Sequence, residues 1–198
     1  MTDLLALLTI ISWPVIPLFW IPLHFCSDFF KKIRLFSYLL PFITWLPLAY
    51  VIYLYRDILL GYRIDVPAML VIAGITLLTL GTLLHIWTGR LLSLHGLIGI
   101  HEILSSSKGR VVRDGAFGVI RHPTYLAHTM MFSGVFLISG VVATGIVTIL
   151  DFIAVQAFVI PLEERELLAR FGDDYARYQR EVPKFIPRIK RGASDEKA

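Results

Sequence analysis

The sequence predicts an all-α integral membrane protein. Three observations predict it. The 198-residue chain is 56% hydrophobic and only 17% charged. Its mean hydropathy is +0.70. Its apolar residues gather in runs long enough for helices to cross about 30 Å of hydrocarbon, which takes roughly 20 residues. A soluble domain is nearer 45–50% apolar and about 25% charged. The length suits one domain, read as a single membrane unit over 1–198. Three N-terminal spans occupy 1–89, a site-bearing part occupies 90–191, and a disordered tail closes the chain over 192–198.

Each element follows from its residues. Leu4 to Phe25 is the first span and ends at Lys31, Lys32 and Arg34. Leu35 to Tyr55 is the second and ends at Arg56 and Asp57. Val66 to Trp87 is the third and ends at Arg90. Arg90 to Arg121 carries His95, His101, Glu102 and several cations, too polar to cross; Leu91 to Leu104 reads as a short helix along the interface. Tyr125 to Ile160 is apolar for about 36 residues, which as one straight helix would run about 54 Å. It therefore reads as a helical hairpin turning near Gly140 to Gly145, its second helix continuing through Glu163 and Glu164 to Phe171. Gly172 would end that helix and Asp173 would cap the next. The count is about five spans.

Charge sets the expected orientation. Lys and Arg number three in the first loop, two in the second, five between the third and fourth spans, none at the hairpin tip and nine after Pro161. The positive-inside rule places the N-terminus outside and the C-terminus in the cytoplasm. The net charge of +4 belongs to those faces rather than to a nucleic-acid partner. No cleavable signal pattern opens the chain: no basic stretch precedes the first run, and Pro14, Pro17 and Pro22 interrupt it. The single cysteine, Cys26, reads as packed or lipid-facing. No metal-ligand spacing, nucleophile elbow or phosphate loop occurs.

Two stretches concentrate the chemistry. In Gly115 to Tyr125, Pro123 suits the first turn of a helix, whose free N–H groups can hold an anion. Arg121 adds a planar donor fork, and His122 and Tyr125 add titratable and aromatic groups. The plainer reading is an interfacial anchor. In Pro161 to Pro187, Glu163 and Glu164 fall where the last helix leaves the membrane, placed to bind a cationic or hydroxyl-bearing group. The plainer reading is a solvated, ion-paired helix surface. Leu167, Phe171, Tyr175, Tyr178 and Val182 recur at helical spacing and read as packing. Inside the spans lie His85, His128, Asp151 and Gln156, and ionisable groups in lipid are functional candidates by default. His128 stands three residues after Tyr125, on the same helix face.

Taken together, Arg-His-Pro-x-Tyr at 121–125, Glu-Glu-x-x-Leu from Glu163, Phe-Gly-x-x-Tyr-x-x-Tyr from Phe171 and Val-Pro-x-Phe-Ile-Pro ending at Pro187 resemble the isoprenylcysteine carboxyl methyltransferases, to which the phospholipid methyltransferases are related. The resemblance covers roughly Lys108 to Pro187. It implies a cytosolic S-adenosylmethionine pocket closed by the C-terminal segment and entered by the acceptor from the lipid side. By resemblance His122, Pro123, Thr124 and Tyr125 line the cofactor site, Val111 and Val112 flank the adenosyl group beside Phe117, and Glu163 with Glu164 holds the polar end. The chain departs from the family pattern at Gly109 and Arg110, where a His is common, at Phe117 in place of a Tyr, and at Val159, where the prenylcysteine enzymes carry an Arg that engages substrate.

The reading that follows is a methyltransferase acting on a lipophilic acceptor from the bilayer: a prenylcysteine, a phospholipid or a small thiol. Arg121 would orient that acceptor or balance charge. A free carboxylate needs no base, whereas a thiol or ammonium would need one, and His122 or His128 would serve. Two alternatives stay open: a membrane oxidoreductase resembling the sterol reductases, using NADPH, and a non-catalytic lipid-binding membrane protein.

Overall fold

The computed structural model describes residues 1–97 and 110–187. The expected tail over 192–198 and the end of the expected interfacial helix lie outside these residues. Within them the chain is helical, and its strand-like contact is an isolated bridge between Arg63 and Val141.

The first apolar run, Thr2–Phe25, is helical but not uniform. α1 (Thr2–Ser12) gives way at Trp13 and Pro14 to a π turn over Ile16–Trp20, and α2 (Ile21–Phe25) follows. α3 (Ser27–Ile33) and a 3₁₀ turn over Arg34–Tyr38 form the first loop, with Cys26 exposed between α2 and α3. α4 (Leu39–Leu54) is the core of the second run, and α5 (Arg56–Gly61) turns the chain. The third is α6 (Ala68–Leu97), one unbroken helix of 30 residues. Sequence reading ended this span at Arg90 and began a separate interfacial helix at Leu91. No Pro stands there, and Gly89 is held inside the helix rather than ending it, so the third helix continues through Leu97.

After α7 (Ala116–Val119), the hairpin forms as its composition predicts. α8 (Pro123–Ser139) starts at Pro123 and stops at Gly140, which adopts φ 65° and ψ 5°. α9 (Val142–Ala154) returns and widens into a second π turn over Val155–Val159. It then continues as α10 (Ile160–Phe171) until Gly172, at φ 56°, breaks it. Asp173 is the first residue of α11 (Asp173–Glu181) rather than its cap; Gly172 holds the cap position. Each π turn has a proline inside it or just after it, Pro17 in the first and Pro161 beyond the second. Proline has no N–H for the carbonyl four residues back, which favours a widened turn.

Among the described residues four helical runs are long and apolar enough to cross a membrane: Thr2–Phe25, Phe36–Leu54, Ala68–Leu92 and Val142–Phe171. The remaining expected span, α8, fourth in chain order, has 17 residues, a rise of about 26 Å. The protein is multi-pass. Its outer surface is correspondingly apolar, with Ile43 70%, Ile72 64% and Ile149 62% exposed to what would be lipid.

Close approach of α6 and α8 is the principal packing contact, and it depends on small residues. A Cβ on Gly74 would stand 2.8 Å from the Cβ of Leu137, one on Gly81 2.8 Å from the carbonyl of Ala127, and one on Gly134 2.7 Å from the carbonyl of Gly74. In lipid no hydrophobic force drives helices together, so backbone proximity and dispersion do. The two π turns meet beneath the site: Ile16 packs with Val155, Val159 and Ile160, beside Trp20, Tyr125 and Phe185.

Candidate active site

A cavity of about 680 Å³ opens where the hairpin's ends meet the first span and α11. Local chain chemistry positions its walls. Pro123 starts α8 and is fully buried, which fixes His122 just outside the helix and sends Thr124, Tyr125 and His128 along one face. Glu163 comes from the first turn of α10. Val111, Val112, Phe117 and Arg121 come from the segment between α6 and α8, and Tyr175 and Tyr178 from α11. Nine of the eleven residues singled out in sequence therefore share one cavity wall; Pro123 lies behind it and Glu164 beside it.

Glu164 is the centre of a charged knot. Its Oε1 accepts hydrogen bonds from Arg121 Nε at 3.1 Å, Arg121 Nη2 at 3.0 Å and His122 Nε2 at 2.8 Å; its Oε2 accepts from Gln179 Nε2 at 3.1 Å. Arg121 Nη1 donates to the carbonyls of Gln179, at 2.9 Å, and Val182, at 2.6 Å. The backbone N–H of Arg121 donates to Pro183 and that of His122 to Lys184. One guanidinium thus ties the hairpin's start, its last helix and the C-terminal segment together.

Glu163 behaves differently. It lines the cavity with 28% of its side chain exposed, and its Oε2 is 3.8 Å from His122 Nδ1. Among the described residues that oxygen has no hydrogen-bond partner, and neither has Thr124 Oγ1, although both are buried. The phenol of Tyr178 donates to the carbonyl of Phe117 at 2.7 Å. Burial pushes this phenol up to about 12 against Arg121 and Arg113, which pull it down. Burial, reinforced by the charges of Glu164 and Glu163, pushes Tyr175 higher still. Both therefore stay protonated donors at any working pH. Val111 packs against Tyr175, Tyr178 and Val182.

Sequence reasoning missed the contribution of the first span. Ser12, Val15, Ile16, Trp20 and His24 all face the cavity. His24, 6% exposed, donates from Nδ1 to Glu166 Oε2 at 3.0 Å and stacks on Trp20. The third carboxylate of the Glu163–Glu166 stretch thus has its own partner, 142 residues away. A histidine ending an apolar run was the one local signal for it. Of the polar residues inside the spans, His85 and His128 reach the cavity, and Asp151 lies behind His128.

A model of the phospholipid methyltransferase family matches residues 69–174, more than half of the chain. The chain belongs to the phospholipid methyltransferase family. The matched region runs from the start of α6 to the start of α11, so it takes in the hairpin and most of the cavity wall. Within this family the resemblance to isoprenylcysteine carboxyl methyltransferases also holds. The chain is 27% identical over 162 residues to methanethiol S-methyltransferase 1 of Bradyrhizobium diazoefficiens, covering 76% of this chain and 50% of that one. It is 30% identical over 94 residues to the protein-S-isoprenylcysteine O-methyltransferase of Schizosaccharomyces pombe, covering 44% and 39%. It is 33% identical over 72 residues to a methanethiol S-methyltransferase of Crocosphaera subtropica, covering 35% and 26%. The chain spans half or less of the length of these relatives. No solved structure matches it.

Proposed function

We propose that the protein is an S-adenosylmethionine-dependent methyltransferase whose acceptor is lipophilic and enters from the bilayer. The observation that carries this is Glu163: a carboxylate on the cavity wall, one oxygen buried and without a hydrogen-bond partner among the described residues, beside Thr124 Oγ1 in the same state. A buried polar atom left unpaired is costly, so such a pair favours a ligand with cationic or hydroxyl donors. The cavity volume lies in the usual range of ligand sites, about 300–1,000 Å³.

In this reading Glu163 and Thr124 hold the polar end, and Val111, Val112 and Phe117 hold the adenosyl end. When bound, the cofactor supplies an electrophilic methyl group on a sulfonium centre. The protein's own contribution is alignment and exclusion of water. Glu164, engaged by Arg121, His122 and Gln179, keeps the C-terminal segment closed over the site. Arg121 therefore acts through Glu164 and the Gln179 and Val182 carbonyls. Ile16, Val15 and Leu91 give the acceptor an apolar approach from the span side. The positive-inside pattern supports a cytoplasmic site, with the N-terminus outside and α8 counted among five crossings.

Equilibrium binding to the detergent-solubilised full chain tests the cofactor. S-adenosylhomocysteine binds and NADPH does not; NADPH binding alone supports an oxidoreductase, and binding of neither overturns both. Membranes incubated with methyl-labelled S-adenosylmethionine then show which lipophilic molecule acquires label.

A further inference from the structure

Three titratable groups converge on the membrane side of the cavity, and the clamp at its mouth uses none of them. His85 comes from α6, His128 from α8 and Asp151 from α9. Asp151 is 1% exposed, and among the described residues neither of its oxygens accepts a hydrogen bond. Its Oδ2 stands 3.3 Å from His128 Nε2. His128 keeps 25% of its side chain accessible, lies on the cavity wall and has its ring face covered by Phe132 at 4.1 Å. His85 lies on the same wall, and its Nδ1 has no hydrogen-bond partner among the described residues. A buried carboxylate in an apolar bundle is costly unless a cation compensates it. The nearest group able to become one is His128.

Resting on the methyl-transfer reading above, we infer that His128 is the base that deprotonates the acceptor, that Asp151 positions it, and that the acceptor is a thiol. A carboxylate acceptor needs no base. It would need a cation, and the arginines on the cavity wall are engaged: Arg121 by Glu164 and two backbone carbonyls, Arg110 by Asp114, and Arg170 over the ring of Phe171. Of acceptors that must lose a proton, a cysteine-type thiol near 8.5 lies about two pH units above an imidazole, and an alkylammonium near 10.4 about four. A thiol also enters the apolar wall of Val15 and Ile16 uncharged, whereas an ammonium would have to shed its water. In the step, the S–H bond breaks and an N–H bond forms on His128. The sulfur keeps the electron pair; with the donor bound, that pair would form the new bond to the methyl as the donor's sulfonium–carbon bond breaks, the freed pair staying on the donor sulfur as S-adenosylhomocysteine. Asp151, with Oδ2 3.3 Å from Nε2, faces that edge of the ring, and its negative charge stabilises the imidazolium. The proton later leaves to water.

The full chain in detergent tests this with Asp151→Asn, which keeps shape, and with His128→Gln. With S-adenosylhomocysteine bound, ultraviolet thiolate absorbance of an added long-chain N-acylcysteine amide, whose thiol is of the cysteine type, reports ionisation without any turnover. Wild type ionises the thiol near neutral pH, and both variants lose that signal while binding S-adenosylhomocysteine as before. In turnover, kcat for the acylcysteine amide falls at least about 10-fold in each variant, and the deficit shrinks for an aromatic thiol that is already ionised. Equal losses on both thiols, an unchanged thiolate signal, or label appearing on a carboxylate or amine and on no thiol would each overturn the inference. If wild type binds no S-adenosylhomocysteine, the methyl-transfer reading itself fails. If it binds and the thiol stays protonated, only this inference does.

Discussion

Arg121 grips Glu164 from one side of the site with two donors on a single carboxylate oxygen, Nε at 3.1 Å and Nη2 at 3.0 Å, and holds two carbonyls of the C-terminal segment with its third nitrogen. The pair joins the hairpin to α11, whose Tyr175 and Tyr178 line the cavity, and to the residues that follow it. Side-chain exposures of 13% and 17% place it between a surface ion pair, which is worth little, and a buried one.

Breaking that pair is therefore expected to cost stability. Removing one partner of a fully buried pair costs about 3–5 kcal/mol; residual solvent access lowers this to about 2–3 kcal/mol for Glu164→Gln. Thermal unfolding in detergent checks the size. Limited proteolysis checks the place, because cleavage after Val182 should speed up first.

Glu163→Gln should behave in the opposite way. Its buried oxygen has no hydrogen-bond partner among the described residues and stands 3.8 Å from His122 Nδ1, so unfolding should stay within about 0.5 kcal/mol of wild type. S-adenosylhomocysteine affinity should fall about 10- to 100-fold, the value of a charge-assisted hydrogen bond. Isothermal titration of the two Gln variants side by side separates a ligand contact from a structural one.

Gly140→Ala strikes the hairpin tip. Gly140 sits at φ 65°, and a Cβ there would collide with the carbonyl of Ile64, whose own N–H donates to the Gly140 carbonyl at 2.9 Å. Left-handed strain alone costs about 1–2 kcal/mol, and the collision adds to it. Unfolding midpoint is the readout, and ligand affinity should hardly move, because this turn is at the far end of the hairpin from Glu163.

Gly134→Leu should be worse. Its Cβ would meet Gly74 O and Leu78 N at 2.7 Å each, both backbone atoms of α6 that cannot step aside. Overpacking a tight contact costs about 1–3 kcal/mol or more. Loss of the monodisperse peak in size-exclusion chromatography is the expected outcome, whereas Gly61→Leu, with open space around it, should elute as wild type.

The alkaline limb of stability should carry the mark of Tyr178. Its phenol titrates near 12 when folded against 10.0 ordinarily, so its contribution is intact below about pH 10 and is lost as pH rises toward 12. Tyr178→Phe should lower stability at neutral pH by about 1 kcal/mol through the orphaned Phe117 carbonyl. It should also flatten the fall between pH 10 and 12, as measured by denaturation at stepped pH.

Local chemistry was enough, in the sequence alone, to determine the class of the fold and the helical hairpin, and to single out residues that the structure brings to one cavity. Hydropathy marks a lipid-spanning run residue by residue, and Pro123, Gly140 and Gly172 punctuate helices wherever they stand. The spacing from Arg121 to Tyr125 and the pair at Glu163 place chemistry at helix ends without any knowledge of packing. Only the tertiary structure decided what those groups do to one another. Glu163 and Glu164 are adjacent and chemically identical, yet a helix turns neighbours about 100° apart, so one faces the cavity and the other Arg121. The pairing of His24 with Glu166 and the approach of Asp151 to His128 likewise join residues from different helices. Such contacts depend on how helices cross, and crossing is set by the summed packing of glycines and π turns along the bundle rather than by any short stretch of chain.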